Sequence, residues 1–248
     1  MSLLEYQQDV YSQNGEDGIL EELCRRLGLS AAWFCEFGAW DGVWLSNCRR
    51  LADAGWSGIF IEGDRRKYRR LMTNIREYDG RVYALQAFVA TEGDACLDAL
   101  LSRFEIPEEF GVLSIDIDSF DWHVWQSLHH YRPLIVVIEV NTSLPPQVYQ
   151  IHAGGAQQGS SFAATLDLAR AKGYTLVCHT GNMVFVRSDR VADVGLSAAA
   201  LATPETLFNW QKHRMELTYQ SELACAQRKL MTRARRSVKR ALAGRRGT

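Results

Sequence analysis

The chain has 248 residues, a formal net charge of −1, 47% hydrophobic residues and 23% charged ones. That length buries one sizeable core, and the composition excludes the collagen-like, disordered and disulfide-dense classes. No apolar run approaches the roughly 18 residues of a membrane span, and residues 1–13 lack the basic-then-apolar order of a signal peptide.

The six cysteines are scattered without a C-x-x-C pair. They read as reduced thiols, so a cytoplasmic setting is expected.

In chain order, Leu3 to Val10 is weakly helical. Tyr11 to Gly18 is polar and glycine-bearing, and Ile19 to Leu27 is an amphipathic helix stopped by Gly28. The polar octet, which contains Gln13 and Glu16, reads either as a capped helix start or as a lid over a cofactor. Trp33 to Gly42 then organises the chain. It is a short apolar strand carrying Glu36, followed by Gly38, Trp40, Asp41 and Gly42, with helical spacing from Val43 to Ala54. In a strand, glycine turn and helix, backbone approaches a ligand closely. Two acids at the turn, Glu36 and Asp41, suit a pyrophosphate poorly. They suit a cationic ligand, such as the amino and sulfonium groups of S-adenosylmethionine. Trp40 offers a ring to stack on adenine or on a sugar face.

Ser57 to Ile61 is the second strand, with Glu62 at its end. Nucleotide-binding α/β units place there an acid that accepts hydrogen bonds from ribose hydroxyls. An exposed loop acid is the plainer alternative. Arg65 to Tyr78 reads as a helix with a solvated basic face. Val82 to Val89, Val112 to Ile115 and Leu134 to Val140 are further strands, separated by helices over Ala95 to Phe104 and Phe120 to Leu128. The last strand is a continuous β-branched run of the kind buried on both faces. Thr142 to Ser160, containing His152, lacks a regular pattern, and such long loops are usually functional or mobile. Ser161 to Ala171 is helical, and Tyr174 to His179 with Met183 to Arg187 form a hairpin. This alternation predicts an α/β fold with a mostly parallel sheet covered on both faces and one antiparallel strand.

That domain is expected over 1–200, with a helical, basic extension over 201–248 formed by Glu205 to Lys212 and Glu216 to Ala243. Residues 228–248 carry nine Lys/Arg and no acid, leaving 19 basic against 29 acidic residues in the rest. The tail reads either as a solvated helix or as a contact for an anionic membrane surface or an acidic protein. An acidic body and a lack of aromatics among the arginines disfavour nucleic acid.

Several blocks together resemble the FkbM-type methyltransferases. They are Tyr11-Ser12-Gln13-Asn14-Gly15-Glu16-Asp17, Phe34 to Gly42, Ser46-Asn47, Gly55-Trp56-Ser57-Gly58 with Ile61-Glu62, Val112 to Asp118, and Val137-Ile138-Glu139. The resemblance covers roughly residues 10 to 190. It implies the class I methyltransferase fold, a Rossmann-like, doubly wound, seven-stranded sheet. It also implies S-adenosylmethionine as cofactor and methylation of a hydroxyl on a sugar, glycoconjugate or natural product, often in cell-surface glycan biosynthesis. On this resemblance Glu36 and Gly38 line the methionine and Glu62 the ribose. Gln86, Ala87 and Phe88 flank the adenine, and Asp116 faces the reacting methyl group. Gln13, Glu16, Trp40 and Asp41 complete the expected cofactor set. The family usually has Asp-x-Asp-Gly where this chain has Asp116-Ile117-Asp118-Ser119.

A sugar hydroxyl is a very weak acid, so it needs either a histidine base or a divalent metal that lowers its pKa. Asp116, Asp118, Glu139 and Asn141 stand at neighbouring strand ends and offer oxygen ligands to Mg²⁺. His152, then His123, are the candidate bases, each with the plainer reading of an ordinary polar residue. His129 and His130 are expected to be structural. The non-catalytic alternative is a methyltransferase-like module that binds cofactor or glycan in cell-surface glycan assembly. A small-molecule or glycan acceptor is the expected partner, and a homo-oligomer is compatible with either reading. A metal-dependent oxidoreductase on the same fold finds no iron or flavin signal here.

Overall fold

The computed structural model describes residues 2–154 and 159–223. Seven strands form one sheet: β1 Trp33–Phe37, β2 Ser57–Glu62, β3 Val82–Gln86, β4 Val112–Ile115, β5 Ile135–Glu139, β6 Tyr174–His179 and β7 Asn182–Arg187. Their order is β3-β2-β1-β4-β5-β7-β6. The first five pair in parallel, while β7 runs antiparallel to β5 and β6. The expected mostly parallel α/β architecture, with one reversed strand, is what the chain forms.

Strand β5 shows why the sheet is covered twice. Ile135 and Val137 join Phe34, Phe60, Ile19 and Leu23 in one core, while Val136 and Ile138 join Phe37, Trp125 and Phe162 in the other. Alternate side chains point to opposite faces, so an unbroken apolar run feeds both. Each such fully buried side chain contributes on the order of 1.5–3 kcal/mol. Helices α1 Glu16–Arg26, α2 Arg49–Asp53 and α3 Arg65–Asn74 cover the first face. Helices α4 Leu97–Leu101, α5 Asp121–Ser127 and α6 Phe162–Ala171 cover the second. A short α7 spans Ala198–Ala202.

Two sequence expectations are corrected. The helix expected from Val43 begins only at Arg49, because Glu36 reaches across from β1 and accepts the N–H groups of Asn47 and Cys48. The chain before it is a turn, with Trp40 and Leu45 in the left-handed region at φ 51° and 59°. The helix expected over Glu205 to Lys212 is interrupted: Pro204–Leu207 is a 3-10 turn, Phe208 is extended with its ring packed on Phe162 and His179, and the chain is helical again from 210. That burial ends the turn.

Residues 1–209 form one unit and 210–248 another, whose described part, 210–223, is helical. The basic stretch 228–248, and the contacts expected of it, lie outside the described residues, as do 155–158 of the long loop. Among the described residues no helix is long and apolar enough to cross a membrane, and the five cysteines are free thiols.

Candidate active site

The strand order reverses direction between β1 and β4, and open α/β sheets hold ligands at the carboxyl ends of the strands beside such a switch point. A cavity of about 550 Å³ opens there. Its walls come from the ends of β1, β2, β4 and β5, the loops after β1 to β4, and Gln13 and Lys67.

The loop after β1 must pass close to β4. A Cβ on Gly38 would collide with the Asp116 carbonyl oxygen, and its φ of 77° is left-handed, so only glycine fits. Glu36 is 3% exposed and lines the cavity. Its carboxylate accepts from Ser46 Oγ (2.7 Å), Asn47 N–H (3.0 Å) and Cys48 N–H (3.0 Å). Burial pushes its carboxyl up to about 7 against the pull of those donors. Glu36 thus fixes the loop from β1 to α2.

Glu62 stands at the end of β2 and joins two loops. It accepts from Trp40 N–H at 2.8 Å and Asp64 N–H at 2.7 Å. A carboxylate has about four lone-pair sites, so two remain to accept ribose hydroxyls. Beyond it, Gly63, Ala87 and Phe88 line an apolar flank, and the Phe88 ring is 78% exposed. A Cβ on Gly63 would strike that ring, so the glycine makes room for Phe88. A flank of this kind fits a planar base.

The ends of β4 and β5 bring acids together. One carboxylate oxygen from each of Asp116, Asp118 and Glu139 lies within 4.8 Å of the others. Burial first, then the neighbouring Asp121 and Asp118 carboxylates, hold Asp116 well above the usual carboxylate range. Burial and Asp116 do the same to Glu139, which the Asp118 N–H opposes. Like charges this close cannot all ionise at neutral pH without a cation. Asp121, buried at the start of α5, anchors the turn by accepting from Ile117 N–H (2.8 Å) and Ser119 N–H (3.0 Å). Burial pushes it up to about 6. Asp118, at φ 63°, is thereby held in the left-handed region.

The other expected residues divide. Gln13 and Trp40 line the cavity. Asn141 does not line the cavity, and its Oδ1 accepts from Ser143 N–H and Oγ. Glu16 is fully buried, accepts from Thr180 Oγ1 and Asn182 Nδ2 at the β6–β7 turn, and does not line the cavity. Asp41 turns back on Val43 and Trp44 N–H, and Gln86 is exposed at the end of β3; neither lines the cavity. His123 and His152 both pack on Phe120, with ring centroids 5.2 and 5.0 Å away, and neither lines the cavity. Burial lowers His123 below its ordinary value.

Sequence reasoning missed Lys67, read as part of a solvated face. It lines the cavity with its Nζ 5.6 Å from the Trp40 ring centroid. Asp64 caps α3 immediately after β2, which sets the first turn of that helix beside the strand end. Trp44 is 61% exposed and also lines the cavity.

No protein-family model matches the chain, and no curated protein matches it. Among solved structures it is similar to an S-adenosylmethionine-dependent methyltransferase from Clostridium acetobutylicum, at 7% identity over 70% of this chain and 92% of that one, TM-score 0.46. It is also similar to TrmK of M. capricolum in complex with S-adenosyl-homocysteine, at 10% identity over 84% of each chain, TM-score 0.45. A third is the glycopeptide N-methyltransferase MtfA complexed with sinefungin, at 14% identity over 73% of this chain and 88% of that one, TM-score 0.42. Likenesses so distant leave the reaction to be read from the site.

Proposed function

We propose that this chain is an FkbM-type, S-adenosylmethionine-dependent O-methyltransferase acting on a hydroxyl of a sugar, glycoconjugate or natural product. One observation carries the reading. A single cavity is lined by a strand-end acid with lone pairs to spare, Glu62, and by a donor-poor acid cluster, Asp116, Asp118 and Glu139. The first suits a ribose and the second an acceptor hydroxyl.

Bound S-adenosylmethionine supplies a methyl carbon already activated by its sulfonium. The chain's task is to hold two reactants in line and to take a proton. Gly38 lets the backbone close on the methionine, Glu62 orients the ribose, and Ala87 and Phe88 face the base. Asp116 is placed to accept the proton of an acceptor hydroxyl that has been made more acidic than a free sugar hydroxyl. Its raised pKa suits it to that role, since a base works best with a pKa near the operating pH. The three clustered carboxylates also fit a divalent cation of the Mg²⁺ type, with water and substrate oxygens completing its shell. Such a cation would relieve their repulsion and lower the pKa of the hydroxyl. A cytoplasmic setting, with the basic tail toward an anionic membrane surface or an acidic protein, belongs to the same proposal.

The test is turnover of S-adenosylmethionine against a panel of sugars, sugar nucleotides and hydroxylated natural products, with and without Mg²⁺. Asp116→Asn is expected to lower turnover by about 10²–10⁴-fold. Turnover unchanged in that variant would remove Asp116 from the chemistry.

A further inference from the structure

Helix α3 carries Arg65, Arg66, Lys67, Arg69 and Arg70 in its first six residues. Leu71 and the following Ile75 are buried and fix its inward side. At about 3.6 residues per turn the four arginines fall on the outward side, and all four are exposed. Elsewhere arginines of this acidic body find carboxylates. On α2, Arg49 pairs with Asp53 and Glu77, and Arg50 with Glu21. Among the described residues none of the four on α3 forms a salt bridge. Arg69 and Arg70 share a groove with Asp41, whose Oδ1 accepts from Val43 and Trp44 N–H.

The turn that borders this helix carries apolar side chains outward. Asn74 Nδ2 donates to the Asp41 carbonyl at 2.9 Å, and Lys67 Nζ stands 5.6 Å from the Trp40 ring centroid, so turn and helix abut. In the same turn Trp44 and Leu45 are 61% and 41% exposed, and both line the first cavity. Asp41 holds the Trp44 N–H at 2.8 Å, and Leu45 is left-handed at φ 59°, a conformation that residues other than glycine rarely adopt. An ordered turn, not a loose end, therefore presents the pair.

We propose that the outward face of α3 and the turn over residues 40–45 dock the folded body on an anionic phospholipid surface. The four guanidinium groups meet headgroup phosphates, and Trp44 and Leu45 enter the boundary between headgroups and acyl chains. An indole and an aliphatic side chain beside a cationic row are interfacial chemistry. A nucleic acid would use the same cations but has no stacking partner in Leu45. This contact belongs to the folded body and is separate from the one proposed for residues 228–248. Its test needs no methyl transfer.

The full chain is sedimented with sucrose-loaded vesicles of phosphatidylcholine alone, or of equal parts phosphatidylcholine and phosphatidylglycerol. It should bind the mixed vesicles in preference. Arg66→Gln/Arg69→Gln/Arg70→Gln should weaken that binding at least about tenfold. Arg103→Gln/Arg132→Gln/Arg170→Gln removes the same charge from exposed arginines outside α3 and should weaken it by less than about twofold. Both triple variants should unfold close to the temperature of the unsubstituted protein. Brominated phosphatidylcholine in the mixed vesicles should quench part of the indole emission, and Trp44→Leu, which keeps an apolar side chain, should remove that part. No sedimentation with the mixed vesicles, with or without capture of a single-stranded DNA oligonucleotide, would overturn the proposal. So would an equal loss in the two triple variants, or quenching that Trp44→Leu leaves unchanged.

Discussion

The acids on the β1–β2 side of the molecule and those at the ends of β4 and β5 are alike in type and opposite in circumstance. Glu36 and Glu62 are both buried, and each is supplied with N–H or O–H donors from its own chain. Asp116 and Glu139 face one another and Asp118 with few donors, and burial with mutual repulsion raises them both. An acid matched with donors builds a loop. An acid left short of them is ready to take a proton or a cation. Asp121 sharpens the contrast, since it stands next to the donor-poor cluster and yet serves the turn through Ile117 and Ser119.

The largest effect should come from the donor-poor side. Asp116→Asn should abolish most turnover while leaving the chain folded, since a neutral amide replaces a carboxyl that burial already holds toward its neutral form. On the donor-rich side the order reverses. Glu36→Ala strands Ser46 Oγ and two buried N–H groups, and should destabilise the fold by about 2–4 kcal/mol in urea unfolding. A loss under about 0.5 kcal/mol would show that the loop does not need its brace. Glu62→Ala should be milder for stability but weaken S-adenosylhomocysteine binding by roughly 10–100-fold, the worth of one or two charge-assisted hydrogen bonds.

The smallest effect is on pH dependence. Asp116 and Glu139 are raised from ordinary values of 3.8 and 4.5, so the folded chain keeps protons that the unfolded chain releases. Stability is therefore fully present below those ordinary values and is lost as pH rises through the raised ones. With a chelator present, Tm should fall across that window, and Mg²⁺ should flatten the fall. A Tm that rises with pH there would mean that the cluster is not repulsive.

Much of the sheet was legible because periodicity reports burial directly. The β-branched run of β5, the Thr180-Gly181-Asn182 turn and the glycine turn after β1 each carry a local signal. Glu62 and Asp116 were readable as strand-end acids for the same reason. What could not be read was the pairing of acids with donors. Glu36 delays α2 through groups ten to twelve residues further on, and no spacing rule announces that reach. Asn141 shares the strand-end position of Glu139, but it does not line the cavity and its Oδ1 accepts from Ser143. Lys67 was hidden because a basic residue on an exposed helix looks the same whether it meets water or the Trp40 ring. These are tertiary choices among polar groups, which composition and period do not encode.

The most direct measurement is calorimetric titration of S-adenosylhomocysteine into the unsubstituted protein, Glu62→Ala and Asp116→Asn, each with and without Mg²⁺. Micromolar binding to the unsubstituted protein, a clear loss in Glu62→Ala and none in Asp116→Asn are expected. No binding to the unsubstituted protein, or a loss in Asp116→Asn with none in Glu62→Ala, would contradict the proposed cofactor site.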